Sequence, residues 1–254
     1  MKSQQRQPSK NSVLQQIRDM EIPVKSVIDV GIHFQTRELM AAFPTQKHYL
    51  FEPVADHYDK IEQNYRDAGI DYDLNKVAVS NQDGFADLAV SSIRGTDEVT
   101  HSSLTGADSR GQEIRRVPTL KLDTFVAEHK PAAPYLIKID VDGAEEMVLQ
   151  GAPKALEDCS ILIIEAAVSA VSTRIEMAVA AGFVLLDIVD ICYNQGCLWQ
   201  VDLVFINPNL GTEDWRRATQ IVEPDNWCSL RLVRHSRDGF WKRKRYQLRK
   251  KLRG

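Results

Sequence analysis

The chain of 254 residues is 43% hydrophobic and 26% charged with a formal net charge of −3, a composition that suits one large α/β domain or two small ones. No apolar run approaches the roughly 18–20 residues of a membrane span, and the start, MKSQQRQPSK, lacks a signal-peptide core, so a cytoplasmic location is expected. Cys159, Cys192, Cys197 and Cys228 are too few and too unpatterned for a zinc site, and reduced thiols are expected.

Residues 1–10 are polar and read as loose; NSVLQQIRDM reads as a short helix ahead of Pro23. SVIDV, KHYLF, YLIKID and SILIIE are then β-rich runs, mostly too continuous to be one-faced, and VADHYDKIEQNYRDA, AEEMVLQGAPKAL and STRIEMAVAA have helical spacing. Such alternation predicts a parallel sheet covered by helices on both sides. Residues 72–92 read as a hairpin around NQDG, and the polar, Gly/Ser-rich 93–113 as a functional loop of about twenty residues. FVLLDIVDI, YNQG and CLWQVDLVFIN form a second predicted hairpin, which closes the sheet.

From Arg231 to Gly254 there are eleven Lys and Arg against one Asp, or +10, which leaves −13 on residues 1–230. As a helix this tail would set Trp241, Leu248 and Leu252 within about 40° of one another amid basic residues. That pattern suits the anionic inner face of a membrane; a solvated terminus is the alternative, and the acidic body argues against nucleic acid. The division expected is a polar segment with a short helix over 1–22, a catalytic domain over 23–210, and an extension with the basic tail over 211–254.

Four predicted strands end in an acid: Asp29, Glu52, Asp140 and Glu165. Ligands of open parallel sheets bind outside the carboxyl ends of the strands, so these acids should line one crevice and need a compensating cation or proton. Each acid taken alone could equally cap the following helix. Gly31 permits close backbone approach after the first strand, and Glu52, 21 residues later, stands where a carboxylate accepts both hydroxyls of a ribose. The stretch Gly31–Thr36 lacks the glycines a pyrophosphate needs. A nucleoside with positive charge and no phosphate, S-adenosylmethionine, fits an acid-lined pocket better.

IDVG, FEP at 51–53, AVS at 78–80, HSSL at 101–104, LDTF at 122–125 and above all LIKIDVDGAEEMVLQGA at 136–152 resemble the FkbM family of S-adenosylmethionine-dependent methyltransferases, over about residues 26 to 206. The resemblance implies a Rossmann-like class I methyltransferase fold: a seven-stranded, mostly parallel sheet with a reversed last strand. It also implies O-methylation of a sugar or polyketide-type hydroxyl. The family usually has Gly-Ala-Asn-x-Gly in its first loop; here His33 stands at the Asn position and Gln35 at the second Gly. The donor-binding set expected is Asp29, Gly31, His33, Thr36, Glu52, Pro53, Ala78, Val79 and Asp140; Val77, Ala78 and Val79 read as an adenine wall or, equally, as core.

An alcohol acceptor must lose a proton, and His101 has the intrinsic pKa for it, with Asp140 as the rival base. Lys138, two residues before Asp140 and on its face, should pair with Asp140 or Glu165, in a catalytic or a structural role. Ser102, Ser103, Glu165 and Asp202 are candidate contacts to a small-molecule or glycan acceptor. Asp140, Asp142 and Glu165 also make an oxygen-rich set that suits magnesium; the expectation is a site without metal, with magnesium as the alternative. Glu145 and Glu146 read as solvated helix acids that favour a helix N-terminus. The rival functions are an NAD(P)-dependent dehydrogenase or epimerase, and a non-catalytic protein with a degenerate donor pocket.

Overall fold

The computed structural model describes residues 7–92, 99–104 and 113–220. The basic tail and its expected helix lie outside the described residues. Pro8–Ile221 form one compact unit; the other unit, Met1–Gln7 with Val222–Gly254, lies outside the described residues except for Gln7.

The first described element is helix α1 (Lys10–Asp19), over the expected segment: the Ser9 hydroxyl caps it by accepting from the Ser12 amide at 3.3 Å, and Val13, Leu14 and Ile17 form its buried stripe. β1 (Ser26–Val30), β2 (Lys47–Phe51) and β3 (Tyr72–Asn75) alternate with α2 (Arg37–Ala42) and α3 (Tyr58–Ala68). β4 (Ala78–Val79), β5 (Gly84–Ser92), β6 (Val99–Leu104) and β7 (Glu113–Leu120) follow. Then come α4 (Leu122–His129), β8 (Tyr135–Ile139), α5 (Glu145–Gln150), α6 (Pro153–Glu157), β9 (Cys159–Ala167), α7 (Val171–Ala180), β10 (Val184–Asn194), β11 (Cys197–Ile206) and α8 (Glu213–Gln220).

The main sheet has seven strands in the order β10-β11-β9-β8-β1-β2-β3, parallel throughout except β11, which runs antiparallel between β9 and β10. This is the expected sheet with its reversed last strand, and the β10–β11 hairpin closes it as read. Alternation along the strands divides the core. Ile28, Ile137, Ile139, Leu162, Ile164 and Phe205 face one side, under α4 to α7. Val27, Leu136, Ile161, Ile163, Val204 and Ile206 face the other, under α1, α2 and α8. Strands with both faces covered read as continuous apolar runs, which is why unbroken β-rich stretches, and not alternation, marked them in the sequence.

Residues 72–113 depart from expectation. β3 joins the main sheet, whereas β4, β7, β5 and β6 form a separate four-stranded sheet in that order. NQDG does not close a hairpin. β4 pairs in parallel with β7, and β7 lies between β4 and β5. Asp83 explains the difference: its carboxylate accepts from the Lys121 amide at 2.7 Å and the Thr124 hydroxyl at 2.8 Å, tying this turn to the start of α4. The expected loop 93–113 is also interrupted, since 99–104 forms β6 against β5.

Candidate active site

The order β8-β1-β2 places the reversal of strand order between β1 and β8, and a cleft of about 350 Å³ opens there, at the carboxyl ends of the strands. Gly31, Glu52, Ala78, Val79, Lys138 and Asp140 are among its walls, with His33, Thr36 and Pro53.

Gly31 is held by the chain's own packing. Its φ is +82°, and an added Cβ would lie 1.8 Å from the Asp140 carbonyl oxygen. Its freedom thus lets the β1–α2 loop cross the β8–α5 turn in contact. That turn in turn needs two left-handed residues, Asp142 at φ +48° and Gly143 at φ +99°. Glu145 secures it by accepting from the Gly143 amide at 2.9 Å and pairs with Arg174 at 2.8 Å. Glu145 is buried, which corrects the expectation of a solvated acid; Arg174 on α7, far along the sequence, neutralises it, and also pairs with half-exposed Glu146.

Glu52 closes the opposite wall. Its two oxygens accept from the His33 and Val54 amides, each at 2.9 Å, and Nδ1 of His57 stands 3.4 Å away. A carboxylate offers about four acceptor positions; Oε2, which accepts from His33, keeps one beyond its backbone partner, while Oε1, which accepts from Val54, also faces His57. The apolar side of the cleft is Val77, Ala78, Val79 and Leu88. These residues fit a nucleoside: a carboxylate for the ribose and an aliphatic wall for the base.

The remaining acids are joined through two lysines on the α1 side of the sheet. Lys138, opposite Asp29 in the β1–β8 register, lies 3.3 Å from Asp29 and 3.1 Å from Asp140. Asp29 is wholly buried beneath the cleft instead of among its walls, and its Oδ2 has no hydrogen-bond partner among the described residues. Asp140 is hydrogen-bonded to Glu165, which also accepts from Gln200. Asp202, opposite Glu165 in the β9–β11 register, pairs with Lys10, and Lys10 also reaches Asp190 at 3.4 Å. Lys10 and Gln200 were missed in the sequence, Lys10 because the first ten residues read as loose.

Burial opposes the charge on Lys138, but Asp140 and Asp29 outweigh it and hold its pKa above the ordinary value. Burial also opposes ionisation of Asp140, where Lys138 and the Glu165 hydrogen bond prevail and lower its pKa. Glu165 goes the other way: burial first, then the charge of Asp140, push it up to about 9. At neutral pH Asp140 is therefore a carboxylate and Glu165 a carboxylic acid, its proton shared across the pair. Burial, with Asp140 nearby, likewise raises Asp202 against the pull of Lys10.

His101, Ser102 and Ser103 lie on β6, opposite Ser91, Val90 and Ala89, at the outer edge of the four-stranded sheet. Their side chains lie outside what is described. Among the described residues no group of three or more His, Cys, Asp or Glu is arranged to hold a metal ion.

A family model for the methyltransferase FkbM domain matches residues 29–186, more than half of the chain. The chain belongs to the FkbM methyltransferase family. No curated protein sequence matches it. Distant structural likenesses include the precorrin-6y C5,15-methyltransferase of Geobacter metallireducens, with 8% identity, TM-score 0.43, and 77% of this chain and 86% of that one covered. The magnesium protoporphyrin IX methyltransferase of Synechocystis, solved with bound S-adenosylmethionine, is 9% identical at TM-score 0.46, covering 78% and 77%. The ribosomal protein L11 methylase of Lactobacillus delbrueckii is 11% identical at TM-score 0.42, covering 78% of each chain.

The two departures from the usual FkbM loop have a physical account. His33 adopts φ +57°, a left-handed conformation in which Asn and His are both enriched, so the exchange keeps the backbone. Gln35 is not among the positive-φ residues, so its position does not require glycine here.

Proposed function

We propose that this FkbM methyltransferase transfers the methyl group of S-adenosylmethionine to a hydroxyl, on a sugar in a glycan or glycolipid, with Asp140 receiving the hydroxyl proton. The observation that carries the assignment is that Asp140 lines the cleft at the strand-order reversal while Lys138, 3.1 Å away, keeps it ionised. S-adenosylmethionine, when bound, supplies an electrophilic methyl on a sulfonium. Glu52 would hold the ribose hydroxyls and Val77, Ala78 and Val79 the adenine, leaving the β8 end of the cleft for the acceptor.

Methyl transfer to an alcohol makes the oxygen strongly acidic as the new bond forms, so a carboxylate with a depressed pKa suffices as the base. Glu165, protonated, keeps Asp140 turned by their hydrogen bond and spares the cleft a further negative charge. The nicotinamide alternative has lost its support with the family match. Carbon-13 spectra of products formed from carbon-13 methyl donor, with glycolipid and polysaccharide fractions as acceptors, test the chemistry. A methoxy carbon is expected; an N-methyl or carboxyl-ester carbon would overturn it.

A further inference from the structure

β10 and β11 run on past the sheet. Gln200 pairs with Ala167, the last residue of β9, and residues 191–199 continue beyond that point. Because β10 is parallel to β9, β8 and β1, this projecting tip stands at the end of the sheet where the cleft opens. Every residue from Ile191 to Trp199 is exposed. Tyr193 is 68% and Trp199 56% exposed, with Ile191, Leu198 and the adjoining Val168 exposed beside them. Val168 donates to the Trp199 carbonyl at 2.9 Å, which ties the β9–α7 turn to the ribbon. Between Asp190 and Asp202 no residue carries a charge.

We propose that this hairpin tip docks on an anionic lipid bilayer, with Trp199, Tyr193, Leu198 and Ile191 entering the headgroup boundary. Exposed ribbons of soluble proteins are ordinarily protected by charge, and this one has none over eleven residues. Trp and Tyr, apolar with one polar group, suit the boundary between lipid and water. A small apolar insertion alone holds a protein weakly, and stable attachment takes a second signal. The +10 stretch from Arg231 to Gly254 supplies it in charge, where the −13 of the remaining chain would be repelled by anionic lipid. Pairing of β10 with a second copy fits less well: the strand carries irregular register at three places, and Asp187 and Asp190 besides, features that keep edges apart. The consequence, which rests on the methyl-transfer reading, is that the acceptor hydroxyl is presented at the membrane surface beside the cleft.

Sedimentation of the full chain with vesicles of phosphatidylcholine and phosphatidylglycerol, against phosphatidylcholine alone, tests the proposal. Binding to the anionic vesicles is expected. The double variant Tyr193→Ser/Trp199→Ser should lower it by about ten-fold or more, without change in thermal midpoint or in affinity for S-adenosylhomocysteine. Trp199→Phe, which keeps an apolar ring, should retain most of the binding. Failure of the intact chain to bind at low salt, or wild-type binding by the double variant, would overturn the proposal. So would a dimer, seen by light scattering, that the double variant converts to monomer while vesicles are ignored. Because donor affinity is read separately, none of these outcomes touches the methyltransferase assignment.

Discussion

Lys138 is buried between two carboxylates, one of them the wholly buried Asp29, so its removal strands a charge. Lys138→Met should cost about 3–5 kcal/mol of stability in urea denaturation, and Lys138→Met/Asp29→Asn should regain much of it. Equal stability of the single variant and wild type would show that the pair contributes nothing. Glu165 sets a pH dependence of definite sign. Its folded pKa of about 9 lies above the ordinary 4.5, so the folded state holds a proton that the unfolded chain releases. Stability should fall as pH rises between these values and level off above about 9, and Glu165→Gln should flatten that slope. With Asp140 as base, its pKa depressed, turnover should stay level as pH falls through about 6–7, where a histidine base would lose activity. Asp140→Asn should be nearly inactive and His101→Ala should keep the level profile; loss of activity in the latter would pass the role to His101. The Lys138–Asp140 pair was legible because residues two apart on a strand share a face. The partners of Glu145 and Asp202 were not, since Arg174 and Lys10 lie on other elements and no local pattern announces them.

At the level of elements, the β1–α2 loop and the β8–α5 turn depend on one another. Gly31→Ala would drive a Cβ to 1.8 Å from the Asp140 carbonyl at a φ of +82°, so the turn carrying Asp140 must move. A loss of about 2–4 kcal/mol in stability is expected, with turnover falling further than stability alone accounts for. A soluble variant with normal turnover would contradict this coupling. The sequence made the parallel strands and the terminal hairpin plain, because covered strands are apolar throughout and YNQG turns on Gln195 and Gly196 at positive φ. It misled at NQDG. A turn signal records that the chain reverses locally but not which strand it will pair with, and Asp83 is spent on α4 instead of on a hairpin.

For the whole molecule, the central claim is that the cleft between β1, β2 and β8 binds S-adenosylmethionine through Glu52. The carboxylate anchors the His33 and Val54 amides, and in the proposed complex its remaining acceptor capacity would take up a ribose hydroxyl. Glu52→Ala removes both, and should weaken donor-product binding by roughly 2 kcal/mol or more. Of the four strand-end acids expected to line one crevice, Glu52 and Asp140 do; Asp29 and Glu165 are not among its walls and meet Asp140 through Lys138 and the Asp140–Glu165 hydrogen bond. That Asp29 lies beneath the cleft was not legible, because strand parity gives a residue's face but not its depth. Calorimetric titration of the intact chain with S-adenosylhomocysteine, beside NAD, tests the claim most directly. Saturable one-to-one binding of S-adenosylhomocysteine is expected, strongly weakened in Glu52→Ala, with none of NAD; binding of NAD alone, or unchanged affinity in the folded Glu52→Ala variant, would contradict the assignment.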